Sequence, residues 1–97
     1  MSEEYTEDLQ KLYLEFLLAD KDLFVRCNAI TNSKYFVRKY QPVMDFIQEH
    51  VDGYGDLPTH EQIKAKVRIE FDDVRAKITD DHKKWFMDEY EKFCRHK

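Results

Sequence analysis

The first part of the chain carries apolar residues at the three- and four-residue spacing of amphipathic helices. Thr6, followed by two acidic residues, predicts the N-cap and first turn of a helix. Its predicted buried face consists of Leu9, Leu12, Tyr13, Leu14, Phe16, Leu17 and Leu18. After a turn at residues 20–22, a short second helix is predicted, with Leu23, Phe24, Cys27 and Ile30 as its apolar residues. The pattern therefore predicts two packed helices before residue 31.

Pro42 lies inside the next apolar pattern and predicts a break there. Because proline lacks an amide proton and disfavours α geometry in the residue before it, we expect a short helix ending near Tyr40. Asn32 or Ser33 is the predicted cap of that helix. A new helix then carries Pro42 in its first turn and runs to about Asp52. A single kinked helix is the alternative.

Both glycines of the chain lie in the stretch "GYGDLPT", residues 53–59. Gly53 is predicted to end the preceding helix in the left-handed conformation, with Tyr54 folding back as an apolar contact. Thr59 and Gln62 stand at the spacing of a capping box, which predicts the start of the next helix. The stretch thus predicts a helix stop, a turn and a helix start rather than a binding loop.

The pattern is weak after residue 63 and strong again near the C-terminal end. Ile63 and Val67 fit a short helix, and "RIEFDDV" is predicted as a helix end plus a turn, because a lone strand would have no partner. Thr79 is predicted to cap a long final helix with one aromatic stripe. No glycine, asparagine or proline ends that helix. We therefore expect the natural chain to continue beyond Lys97.

These elements predict an all-α fold, a compact bundle of about five to six short helices that fills residues 1–97 as one domain. The formal net charge of −4 argues against autonomous nucleic-acid binding, which needs a surplus of Lys and Arg. No secretory signal is recognisable, and no apolar run approaches the roughly 18 residues of a membrane span. We expect an intracellular protein in which Cys27 and Cys94 are reduced thiols in or near the core.

The sequence contains little that predicts catalysis or a cofactor. A chain with two glycines and no G-x-x-x-x-G-K-[ST] motif has no phosphate-binding loop, and its four histidines lack the spacing of metal ligands. Asp72, Asp73, Asp80 and Asp81 invite an acid–base or Mg²⁺ hypothesis. The last two, however, already serve as first-turn residues of the final helix, and no other candidate group converges on that pair. We predict no catalytic residue, metal or cofactor.

Two segments are candidates for contact with other molecules. "KYFVRKY" interleaves basic and aromatic residues as single-strand binders do, which makes Lys34, Arg38 and Lys39 candidates for nucleic-acid contact. Helical spacing, however, assigns the aromatics of this segment to the core. The stripe of the final helix is core by default, but a terminal helix can expose part of its face. Its candidate partner-interface residues are Trp85, Phe86, Tyr90 and Phe93.

The order of three segments resembles a known family. "LLADKDLFVRC", then "KYFVRKYQPVMDFIQEHVDGYGDLPTHEQI", then "EKFCRHK" are similar to the N-terminal domain of DnaB-type replicative DNA helicases, particularly the bacteriophage branch. The resemblance covers about Leu9 to Lys97, and "YG-x-LPT" is among its most specific parts. The stretch "RIEFDDV" matches no pattern of the family.

The resemblance implies a non-catalytic helical head that helps to form the collar of a helicase hexamer and to recruit primase or a helicase loader. It implies other helicase subunits, primase or loader as partners, the cytoplasm of a bacterial host cell as location, and no direct binding of nucleic acid by this domain. A helical hairpin, a linker and a RecA-like ATPase would follow. The alternative is a free-standing adaptor, such as a helicase loader or inhibitor, that acts through protein contacts.

Overall fold

The computed structural model describes residues 5–96, apart from the side chain of His96. Residues 1–4 and the expected continuation beyond Lys97 lie outside the described residues. All secondary structure in the described part is helical, which confirms the all-α prediction. The elements are α1 Glu7–Ala19, α2 Lys21–Asn28, 3₁₀ turns at Ser33–Tyr35 and Arg38–Tyr40, α3 Gln41–Tyr54, α4 His60–Val67 and α5 Asp80–His96.

Side-chain caps define the junctions around α1 and α2. The Thr6 hydroxyl accepts a hydrogen bond from the Leu9 N–H at 3.2 Å, as the sequence predicts. The Asp20 carboxylate accepts one from the Asp22 N–H at 2.9 Å, so a single residue separates the two helices. The prediction that the second helix includes Ile30 was wrong. Because α2 ends at Asn28, Ile30 lies in the following turn and is 42% exposed.

The helix break before Pro42 is confirmed, whereas the predicted end of α3 was wrong. A 3₁₀ turn ends at Tyr40, and Pro42 lies in the first turn of α3. This helix continues past Gly53 and ends at Gly55, which has φ 72° and donates its N–H to the Val51 carbonyl at 2.8 Å. Tyr54 remains helical and is 78% exposed, so it does not fold back as an apolar contact.

The predicted start of α4 is confirmed in both of its hydrogen bonds. The Gln62 N–H donates to the Thr59 hydroxyl at 3.1 Å, and the Thr59 N–H donates to the Gln62 side-chain oxygen at 2.8 Å. After α4, residues 68–79 form turns and irregular structure without a strand. Glu15, buried on α1, accepts a hydrogen bond from the Asp72 N–H at 2.9 Å. This contact attaches the irregular segment to α1.

The core lies where α5 packs across α1 and α2. Tyr13 of α1 is completely buried against three rings of α5. Its ring centroid lies 5.8, 5.6 and 5.4 Å from those of Phe86, Tyr90 and Phe93. The pair α3 and α4 packs around the remaining side of this core through residues such as Ile47 and Ile63. Within residues 5–96, no helix is both long and apolar enough to cross a membrane.

The two glycines should respond to alanine with opposite signs. Gly53→Ala places a methyl group in open space on a helix and should stabilise the fold by about 0.5–1 kcal/mol. Gly55→Ala forces a side chain into the left-handed region and should cost about 1–2 kcal/mol. Urea denaturation of both variants measures the two free energies of unfolding. Equal effects of the two substitutions would contradict the assignment of Gly55 as the helix stop.

Removal of the Glu15 carboxylate should loosen the irregular segment. Glu15→Ala leaves the Asp72 N–H without its acceptor and should lower the free energy of unfolding by about 1–3 kcal/mol. Glu15→Gln retains a side-chain oxygen of the same reach and serves as the matched control with a smaller loss. Hydrogen exchange of the Asp72 amide should accelerate in the alanine variant. Unchanged exchange there would show that other contacts hold the segment.

Candidate functional site

The predicted interface stripe on α5 is mostly inside the protein. Phe86, Tyr90 and Phe93 have no exposed surface, because they form the aromatic contacts with Tyr13. Only Trp85 reaches solvent, with 43% of its surface exposed. The default assignment of the stripe to the core is therefore correct for three of its four residues. A partner can reach the stripe through Trp85 alone in this conformation.

The three candidate nucleic-acid residues are exposed, but two of the three aromatics of this segment are buried and the third, Tyr35, is partly buried. Lys34, Arg38 and Lys39 lie on the surface of the two 3₁₀ turns, while Phe36 and Tyr40 are buried. The Lys39 ammonium lies 2.7 Å from a carboxylate oxygen of Glu7, and this hydrogen bond raises the pKa of the lysine. The segment therefore presents cations, one of them paired, beside one partly buried aromatic ring rather than the row of exposed aromatic faces on which single-strand binders stack bases.

The four aspartates that invited a catalytic or metal hypothesis are dispersed among other roles. Asp73 pairs with the Arg75 guanidinium at 2.6 Å, and the hydrogen bonds from Arg75 hold the pKa of its carboxyl well below the usual range. Asp80 and Asp81 lie in the first turn of α5, as predicted. The Asp72 backbone is bound by Glu15. In the part of the chain that the structure describes, no group of three or more His, Cys, Asp or Glu side chains is placed to hold a metal.

A capping residue at the start of α5 was missed by the sequence analysis. The His82 N–H donates to the Thr79 hydroxyl at 3.2 Å, and the Thr79 N–H donates to Nδ1 of His82 at 3.1 Å. This reciprocal pair repeats the capping box of α4 with histidine in the place of glutamine. The T-x-x-H spacing was the available signal. His82 is thereby assigned to helix capping rather than to metal binding.

The two cysteines are free thiols and both are buried. The Cys27 Sγ lies 3.5 Å from the Met87 Sδ, which joins α2 to α5. Burial raises the pKa of each thiol to about 11, above the ordinary cysteine value of about 8.5. Both groups are therefore protonated at neutral pH and lack the thiolate character of a catalytic cysteine.

A charged cleft lies between α2 and α5. The Lys83 ammonium is 2.9 Å from a carboxylate oxygen of Asp20, and the hydrogen bond from Lys83 lowers the pKa of this carboxyl. Other charged side chains line the cleft, namely Asp22, Arg26, Asp80, Lys84 and Asp88. Because both signs are interspersed, the cleft offers no single charge to a ligand. We interpret it as a surface ion-pair region that joins the two helices.

An open apolar groove between α3 and α4 is the most distinctive surface of the described residues. Phe46, His50 and Tyr54 follow one another at steps of four along α3, with ring centroids 5.8 and 4.7 Å apart. The opposite wall comes from α4 and consists of Gln62, Ala65 and Lys66. The volume of this solvent-open groove is about 710 Å³. The spacing of four was visible in the sequence, but we had expected Tyr54 to pack against its own helix.

The thiols provide a test of how closely α2 and α5 pack. At pH 8, modification by a disulfide reagent should be more than about 100-fold slower in the native protein than in urea, because a thiol with the raised pKa is almost fully protonated. The pKa of each thiol is higher in the folded chain than in the unfolded chain, so deprotonation of the thiols favours unfolding. The stability that the protonated thiols provide is therefore complete below about pH 8.5 and is lost as the pH rises toward about 11. Rapid native modification would contradict the buried placement.

Comparison with known proteins gave no identification. No protein-family model, no curated protein and no solved structure matches the chain. The resemblance to helicase head domains therefore rests on the quoted residues and on their order along the chain.

Proposed function

We propose that the chain is the non-catalytic N-terminal collar domain of a bacteriophage-type, DnaB-like replicative helicase. In this role it contributes to assembly of the hexamer collar and to recruitment of primase or a helicase loader. It works through protein contacts in the cytoplasm of a bacterial host cell and does not itself hydrolyse ATP. Other helicase subunits and primase or loader are its partners, and nucleic acid is not a direct ligand of this domain.

The observation that carries the proposal is the structural use of the residues on which the resemblance rests. Pro42 lies in the first turn of α3, Gly55 ends that helix, and Thr59 with Gln62 caps α4. The motif "YG-x-LPT" therefore encodes one helix reversal of defined geometry. A motif that specifies a backbone turn indicates the fold of a domain rather than its chemical activity. This structural use of the quoted residues supports the proposal.

The surface supports a role in protein contact. Large apolar side chains are exposed on several elements, namely Val25, Ile30, Val37, Tyr54 and Trp85. Single exposed apolar residues are ordinary, but Tyr54 lies beside His50 and Phe46 in the groove between α3 and α4, and adjacent apolar residues mark interaction sites. Lys39 is paired with Glu7, and the chain carries a formal net charge of −4, which opposes binding of the phosphate backbone.

Titration of the isotopically labelled chain with partner proteins tests the proposal. Addition of the primase or of the full-length helicase from the same replicon should shift amide signals of exposed residues, whereas the chain alone should show no ATPase activity. Trp85 is the only tryptophan, so a blue shift of its emission would report burial of that residue at the contact. Trp85→Phe removes this optical signal while retaining an aromatic ring. Silence toward both proteins would overturn the proposal.

Two further measurements distinguish the alternatives. A Walker A motif in the same reading frame downstream of the Lys97 codon would support the helicase, whereas a stop codon directly after it would favour a free-standing adaptor, loader or inhibitor. Fluorescence anisotropy with a labelled oligonucleotide at low salt should show no binding. Salt-dependent binding that is lost in Lys34→Glu and Arg38→Glu variants would instead support single-strand contact by this segment.

A further inference from the structure

The groove between α3 and α4 exposes aromatic surface that the fold itself does not use. Phe46 and His50 are half-buried, and Tyr54 is 78% exposed with its ring tilted against that of His50. The three rings lie along one line of the helix because a step of four returns almost to the same face. From the first to the third, the line is about 12 Å long at 1.5 Å per residue. It matches about two turns of a second helix.

The two edges of the groove carry opposite charges. Among the described residues, Lys66 of α4 is the only Lys, Arg, Asp or Glu that lines the groove. Asp45 and Glu49 are exposed on α3. Each comes one position before a ring of the groove, Phe46 or His50, and is therefore rotated by about 100° around the helix axis from that ring. The two carboxylates lie on the outer edge of the groove. Gln62 already contributes its side-chain oxygen to the cap of α4. The groove therefore has an apolar floor, a basic edge on α4 and an acidic edge on α3.

We propose that this groove binds an amphipathic α-helix of a partner protein. The bound helix presents apolar side chains at positions i, i+3 or i+4, and i+7 to the three rings, as in other helix-in-groove complexes. Acidic residues on one flank face Lys66, and basic residues on the other face Glu49. This charge order fixes the direction in which the helix lies and excludes the reversed one.

The same charges disfavour a nucleic-acid strand, although stacked rings also suit bases. A phosphate backbone in the groove would run beside Asp45 and Glu49, where like charges repel it, and would meet a single lining cation in Lys66. The inference rests on the proposed role in protein contact, but it does not require that the parent protein is a helicase. It names a face and a ligand chemistry that the family resemblance does not supply.

Selection from a displayed library of random 16-residue peptides tests the inference without a presumed partner. The wild-type chain should enrich peptides with helical apolar spacing and acidic residues on one flank. Tyr54→Ala, at an exposed position that should not disturb folding, should weaken the enriched peptides about tenfold. Val25→Ala, at an exposed apolar position of α2 away from the groove, is the control on a different surface and should leave their affinity unchanged. Lys66→Glu should change the selected flank from acidic to basic.

Several outcomes would overturn the inference. These are failure to enrich any peptide that depends on Tyr54, enrichment without the predicted charge order, and displacement of enriched peptides by a short oligothymidylate. Enriched peptides should also shift the amide signals of Phe46, His50 and Tyr54. If peptides bind the groove while primase and full-length helicase do not bind the chain, the proposed function fails and the groove stands. If primase or full-length helicase binds the Tyr54→Ala variant as well as the wild-type chain, and no peptide that depends on Tyr54 is enriched, the groove proposal fails and the proposed function stands.

Discussion

The packing of α5 onto Tyr13 of α1 is the contact on which the rest of the structure depends. It joins helices from opposite ends of the chain and completely buries Tyr13, Phe86, Tyr90 and Phe93. Truncation of one buried aromatic in such a cluster typically costs about 3–5 kcal/mol, which is a large part of the about 5–15 kcal/mol that stabilises a domain of this size. The aromatic stripe of α5 is therefore committed to folding. A partner that needed these rings would have to unfold the domain to reach them.

The local signals in the sequence predicted the positions of most helix starts. Thr6, Pro42, Thr59 and Thr79 each lie where the structure begins an α-helix. Such signals can be read from sequence because a cap or a first-turn proline acts on backbone groups within about one turn of itself. The all-α class followed from the same signals together with the helical spacing of the apolar residues. The stretch "RIEFDDV", residues 68–74, was also predicted to lack a strand, since no second strand was available, and it contains none.

Errors arose where the outcome depends on the neighbouring helices. Gly53 and Gly55 are both able to adopt left-handed geometry, and the sequence alone does not decide which of them ends α3. The two-residue difference rotates the end of the helix by about 200°, so it moved Tyr54 from a predicted internal contact to the surface. Similarly, periodicity identified the stripe containing Trp85 and Phe86 but not how far α1 covers it. Exposure is a property of the assembled core, and the candidate surfaces could not be ranked before that core was known.

The extra half-turn of α3 shapes the groove proposed as a binding site as well as the fold. Because Gly53 stays helical, Tyr54 continues the line of Phe46 and His50 and extends the apolar groove to its full length. A helix that stopped at Asp52 would leave a two-ring site of about 6 Å at 1.5 Å per residue, which is little more than one turn of a bound helix. The same turn that reverses the chain into α4 also brings Lys66 to the opposite wall. Residues 46–66 therefore contain both the helix reversal and the two walls of the groove that we expect a partner to bind.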